Sequence, residues 1–285
     1  MNKRKAVPTW RRILANMAMV RNYRRNLRWF KPREDDIIVA GYPGSGLTWL
    51  QWALIQLTRE EEIALDQLEK VSPSLDFYLM YEEPELGSFA SPRILRSHLP
   101  YAQMPHGRCP YIYLARDGRD VAVTQFRRNF PEKSAKQEFR DWFPRFLKGR
   151  VRYRSWYRHV CDWYQNKHQR HLLFLTYEEL RKDGAQSLDR IAQHLGLPMD
   201  ETRLNRVLQR TSPEFMRQHG GHRPNNGPNE AATAEATRHQ DFVHVQDGSG
   251  WSDYFDQDLI QAHDQKCQST FAGSGLDPSV LHASP

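Results

Sequence analysis

The chain has 285 residues, 39% of them apolar, and a formal net charge of +7. That size suits one large domain or two small ones with a sizeable core, which excludes global disorder. No run of 18 or more apolar residues occurs, so no membrane-spanning helix is expected, nor does the N-terminus carry the apolar stretch of a secretory signal. The three cysteines, Cys109, Cys161 and Cys267, are scattered and show no metal-ligand spacing. They point to a reducing, cytoplasmic setting and give no reason to expect a metal.

Residues 1–30 form a basic segment: no acidic residue precedes Glu34, against eleven Lys and Arg. Trp10, Ile13, Leu14 and Met17 recur at helical spacing between arginines. Such an amphipathic stripe fits packing onto its own domain, or peripheral contact with an anionic membrane. An Arg-rich, acid-poor start is also the composition of an organellar transit peptide. A second basic stretch runs from Arg127 to Arg158. Both attract anions, but no recognition motif accompanies them, so no nucleic-acid partner is expected.

From residue 31 to 285 the pattern is that of a single α/β domain. Ile37 to Ala40 is a short apolar run of buried-strand type, and Leu47 to Glu60 reads as a helix. Ile94-Leu95, Tyr111 to Ala115 and Leu172 to Thr176 are further strands, with helical patterns between them. One of these, Leu188, Ile191, Ala192 and Leu195, stops at Gly196 and Pro198. Strands alternating with helices predict a central parallel sheet flanked by helices, a three-layer arrangement. Gly220 to Ala234, rich in Gly, Pro, Asn and Ala, reads as part of a mobile loop near 220–245.

Gly41-Tyr-Pro-Gly-Ser-Gly-Leu-Thr48 lies between the first strand and its helix. There, backbone amides and a helix N-terminus can cradle a phosphate, although an ordinary strand–turn–helix corner uses the same residues. The spacing is that of a Walker A loop with Leu47 in place of the lysine, so ordinary ATP phosphoryl transfer lacks its main charge clamp. Glycines at 41, 44 and 46 permit close approach of an anion, and Thr48 offers a hydroxyl.

Tyr42-Pro-Gly-Ser-Gly-Leu-Thr-Trp49 resembles the 5′-phosphosulfate loop of the cytosolic sulfotransferases, usually Tyr-Pro-Lys-Ser-Gly-Thr-Thr-Trp. Arg96-Ser-His-Leu-Pro100 resembles the family's Lys-Thr-His-Leu-Pro. Ala115-Arg-Asp-Gly-Arg-Asp-Val-Ala-Val-Thr124 is similar to its 3′-phosphate strand–turn–helix, and Thr176-Tyr-Glu-Glu-Leu180 to its Tyr-Glu-Asp segment. Trp251-Ser-Asp-Tyr-Phe255 and Ala272-Gly-Ser-Gly-Leu276 echo its C-terminal region. The six matches stand in family order.

The resemblance implies a P-loop-like α/β fold that moves a sulfuryl group from 3′-phosphoadenosine 5′-phosphosulfate (PAPS) to a hydroxyl or amine of a small-molecule or lipid acceptor, without a metal. It makes His98 the general base, and Arg96 and Thr48 the donors that meet developing charge. It assigns nucleotide binding to Gly44, Ser45, Gly46, Leu47, Thr48 and Trp49 in the loop, and to Arg116, Thr124 and Tyr177 beyond it. Read without the family, His98 is also a hydrogen-bonded histidine at a strand end, Arg116 a local partner for Asp117 or Asp120, and Tyr177 and Trp49 core aromatics.

Four departures stand against the family pattern. Gly44 replaces the loop lysine. His244-Val-Gln-Asp-Gly-Ser-Gly-Trp251 replaces Arg-Lys-Gly-x-x-Gly-Asp-Trp, the usual 3′-phosphate clamp. Pro213 stands where a phenylalanine covers the adenine, and the dimerisation motif is missing near Ser252 to Gln261. A different donor, or a non-catalytic binding role, is the alternative these departures motivate.

Overall fold

A computed structural model describes residues 20–61, 63–81, 85–105, 107–130, 135–169, 171–219 and 250–282. The stripe from Trp10 to Met17, the predicted loop near 220–245 and the segment His244 to Ser249 lie outside these residues. Four strands, β1 (Ile37–Ala40), β2 (Ile94–Ser97), β3 (Tyr111–Ala115) and β4 (Leu172–Thr176), form one sheet in the order β2-β1-β3-β4. All pairings are parallel; Val39 lies opposite both Arg96 and Ile112, and Ala115 opposite Thr176. The three-layer α/β expectation is met.

The strands are apolar throughout because both faces of the sheet are covered. Ile38, Ala40, Leu95, Tyr111 and Tyr113 point into one core, whereas Ile37, Val39, Ile94, Ile112 and Leu114 point into the other. The first core is closed by the aromatic-rich helices α4 (Gly118–Asn129), α5 (Lys136–Leu147), α6 (Trp156–Gln165) and α11 (Gln257–Phe271), with α3 (Leu75–Tyr81) at its edge. The second is closed by α1 (Leu47–Thr58), the single turn α2 (Leu68–Val71), α8 (Gly184–Leu195), α9 (Glu201–Thr211) and α10 (Pro213–His219). The short α7 (Tyr177–Lys182) follows β4 directly.

The order of strands places the site. From β1 the chain runs to β2 on one side of it and to β3 on the other, so the carboxyl ends of β1 and β3 frame a switch point, where open α/β sheets leave a crevice. Because these four strands are parallel, the segments after β1, β2, β3 and β4 emerge at the same edge. Those segments hold Gly41 to Thr48, His98, Arg116 and Tyr177. At the opposite edge the buried pair Arg93–Asp36, at 2.6 Å, ties the starts of β1 and β2 together. Among the described residues no helix is long and apolar enough to cross a membrane.

Candidate active site

The loop after β1 is held open by backbone conformation. Gly44 and Gly46 adopt φ of 98° and 97°, a region that costs a residue with a side chain about 1–3 kcal/mol. Both also lie against neighbours: a Cβ at Gly44 would stand 3.1 Å from Thr124 Cγ2, and one at Gly46 3.0 Å from the Tyr177 ring. Gly41 has still less room, 2.7 Å from the Leu114 carbonyl. Gln125 on α4 fastens the turn by donating to the Pro43 carbonyl at 2.8 Å. The glycines therefore let the loop settle against α4, α7 and β3, and the absent lysine at 44 coincides with that close approach. Gly44→Lys is accordingly expected to destabilise the fold by about 1–3 kcal/mol and to weaken nucleotide binding. Chemical denaturation of the variant checks this, and unchanged stability with faster turnover would contradict it.

Arg116 follows β3 and is buried. Its Nη1 donates to the Gly44 carbonyl at 3.1 Å, its Nη2 lies 3.4 Å from Asp120, and its guanidinium sits 4.5 Å from the centre of the Tyr177 ring. Local pairing with Asp120 and contact with the loop are thus both present. The neighbouring Asp117 is committed elsewhere: it caps α4, accepting from the Arg119 N–H, and forms a buried ion pair with the Arg119 side chain at 2.5 Å. Tyr177 is held by a capping box at the start of α7, in which Thr176 Oγ1 accepts from the Glu179 N–H and Glu179 accepts from the Thr176 N–H.

Thr124 lies in the second turn of α4, and Ser45 is buried in the loop. Ser45 Oγ, Thr124 Oγ1, Arg116 Nε and Arg96 Nε are all buried without a hydrogen-bond partner. Buried polar atoms are normally satisfied; Trp156 Nε1 and Tyr157 Oη, on α6, are likewise unpartnered, so what marks these four is their place in the loop, on α4, just after β3 and on β2. An anion with several acceptor oxygens suits that set. Leu47 and Trp49 take lesser parts: the Leu47 side chain is in the core, and the half-buried Trp49 donates its indole N–H to the Thr211 carbonyl at 2.9 Å. Thr48 is half-buried in the first turn of α1.

His98 leaves the end of β2 facing the same loop. Its Nδ1–H donates to the Gly41 carbonyl at 2.7 Å, which leaves Nε2 with its lone pair. The backbone around it is fixed from both sides. Asp76 on α3 accepts from the His98 N–H at 2.7 Å and from the Ser97 hydroxyl at 2.6 Å. His159 on α6 donates from Nε2 to the His98 carbonyl at 3.1 Å while accepting from the Tyr113 hydroxyl at 2.9 Å. Burial holds the His98 imidazolium form well below its ordinary range, and the nearby Arg96 and Arg128 add to this, against the opposing bond to Gly41. His159, pushed down to about 4 by burial, is neutral as well.

The structure places His98, Arg116, Thr124 and Tyr177 against the loop that holds Ser45, whereas Arg96 on β2 is near enough to His98 to act on it electrostatically. Sequence reasoning missed Asp76, Gln125, His159 and Glu178. Glu178 accepts from the Asp117 N–H at 2.9 Å, and burial raises its carboxyl to about 7. Its place beside Tyr177 in the fourth motif was the available signal. Asp76 and His159 carry no local one.

A family model for the sulfotransferase domain matches residues 34–275. Sulfotransferase 1C2 of Oryctolagus cuniculus is 30% identical over 203 residues, covering 66% of this chain and 68% of that protein. Among solved structures, mouse sulfotransferase SULT7A1 complexed with PAP superposes with a TM-score of 0.69 at 23% identity, over 90% of this chain and 91% of that one. Retinol dehydratase in complex with androsterone and the inactive cofactor PAP does so with a TM-score of 0.69 at 21% identity, over 90% and 87%. The chain belongs to the sulfotransferase family and is a sulfotransferase, a transferase of the P-loop-like α/β fold.

Proposed function

We propose that this sulfotransferase uses PAPS as donor and passes the sulfuryl group to a hydroxyl or amine of a small-molecule or lipid acceptor, with His98 as general base. The observation that carries the reading is the His98 ring, whose Nδ1–H is locked on the Gly41 carbonyl at 2.7 Å at the root of the phosphate loop. Its remaining nitrogen serves a reaction at that loop. The neighbours solved with PAP, the desulfated form of the donor, support the choice of nucleotide.

The buried, unpartnered hydroxyls and guanidinium nitrogens fit a bound phosphosulfate. Ser45, Thr48 and the loop amides would hold its 5′-phosphosulfate end; Arg116 and Thr124 would hold the 3′-phosphate, and Tyr177 and Trp49 the base. PAPS supplies a sulfur whose bond to the phosphate oxygen breaks as its bond to the acceptor oxygen or nitrogen forms. His98 Nε2 takes the acceptor proton. Arg96, half-buried in β2, meets the charge that grows on the departing phosphate. With no lysine at 44, Arg96 carries more of that duty here than the corresponding lysine does in the usual loop.

The lowered basicity of His98 gives the proposal a sign that can be checked. A base works when unprotonated, so a depressed pKa keeps it competent at lower pH. The profile of kcat/KM, which reports the free enzyme, is expected to stay flat from pH 8 through 6.5, with its acid limb only below 6.5, the ordinary value for histidine. An acid limb at or above 6.5 would argue that His98 is not the titrating base.

A further inference from the structure

Residues 20–29 are helical. One face of this helix is fastened to its own domain. Tyr23, Leu27 and the following Phe30 pack against the core; Asn26 Nδ2 donates to the Leu79 carbonyl at 3.1 Å, and the Tyr23 hydroxyl to the Gln103 carbonyl at 3.4 Å. The other face carries Arg21, Arg24, Arg25, Arg28 and Trp29, all exposed. Their spacing of three, one, three and one residues aligns them as one continuous stripe. Arg25 leans towards Asn26 Oδ1 and flanks a cleft that also holds Glu85. No acidic residue lies in the stripe, and the next in the chain are the exposed Glu34 and Asp35.

An exposed row of arginines alone is an ordinary solvated face. Trp29 makes this one different: it is 79% exposed at the end of the row, and Val20 is 46% exposed at the other. An indole beside guanidinium groups on a single face is the composition that seats at the boundary between lipid headgroups and acyl chains, the cations on phosphates and the ring beneath them. Because half of the helix is sunk in the domain, it offers a plane one continuous face, and no nucleic-acid recognition motif accompanies the arginines. We infer that the exposed face of residues 20–29 docks this protein on an anionic lipid bilayer.

Docking there brings the bilayer close to the chemistry. The helix packs on α3, where the Phe30 and Tyr78 rings lie 5.8 Å apart. The Tyr23 phenol is raised to about 12, chiefly by burial and then by the Asp76 carboxylate, the group that holds the His98 N–H. One helix therefore separates the lipid-facing stripe from the proposed base. This suits a lipid-like hydroxyl acceptor, a corollary that rests on the reading of His98, whereas the docking itself does not.

The test is co-sedimentation of the full chain with vesicles of phosphatidylcholine alone, or with roughly 30% phosphatidylserine added. Binding is expected only to the anionic vesicles, with release by salt. Joint substitution of Arg21, Arg24 and Arg28 by Gln is expected to lower partitioning about fivefold per arginine, and Trp29→Ala several-fold on its own. Circular dichroism checks that the variants are folded, and nucleotide binding should be unaltered in both. If the wild type ignores anionic vesicles, or the triple variant binds them as well as the wild type does, the inference is wrong. Tighter capture of duplex DNA than of vesicles, lost in the same variants, would overturn it in favour of nucleic acid.

Discussion

His98→Asn is expected to lower kcat by about 10²–10⁴-fold while leaving the affinity for 3′-phosphoadenosine 5′-phosphate within about threefold of the wild type. Asparagine is the informative replacement. Its amide stands near the place of Nδ1 and can still donate to the Gly41 carbonyl, which His98 reaches at 2.7 Å, so the loop keeps that tie. What disappears is the Nε2 lone pair. A loss confined to kcat therefore separates base catalysis from a merely structural histidine, whose replacement would loosen the loop and weaken nucleotide binding too. Steady-state rates beside calorimetric titration measure both. Undiminished turnover in His98→Asn would sink the assignment.

Arg116→Ala should have its effect on binding instead. Arg116 is buried, bonded to the Gly44 carbonyl, stacked on Tyr177 and left with an unpartnered Nε. Charge-assisted hydrogen bonds are worth about 1.5–3 kcal/mol each, so losing a fork on one phosphate predicts nucleotide binding weakened by about 100-fold or more. Arg116→Lys should rescue little, because an ammonium can neither bridge two oxygens in one plane nor stack on the phenol. A titration in which Arg116→Ala binds as well as the wild type would show that the phosphate lies elsewhere.

Most of the fold was legible in the sequence because buried parallel strands are written as plain apolar runs. Ile37 to Ala40, Tyr111 to Ala115 and Leu172 to Thr176 form strands with the bounds expected, and Ile94-Leu95 extends only to Ser97. Helix α1 ends at Thr58 rather than Glu60, where Arg59 turns extended. The placement of the candidate site was legible for the same reason: four of the six motifs lie at or just after the ends of strands, and parallel strands bring those ends to one edge. The supports of His98 were hidden. Asp76 lies 22 residues before it and His159 61 residues after it, and both meet it only through packing of α3 and α6. Gly44 was legible as a missing cation, but its close approach to Thr124 needs the folded neighbour to be seen. The basic N-terminal segment was read through Trp10 to Met17, whereas the stripe that the structure displays is Arg21 to Trp29.

In the proposed reading the loop, Arg116 and Thr124 hold a nucleotide bearing a 3′-phosphate, although the usual clamp is rewritten as His244 to Gly250. Calorimetric titration of the full chain with 3′-phosphoadenosine 5′-phosphate, beside adenosine 5′-phosphate, tests it most directly. Binding is expected to be tighter for the first by about tenfold or more, the value of at least one charge-assisted contact to the 3′-phosphate. Equal affinity for the two, or no binding of either, would contradict it.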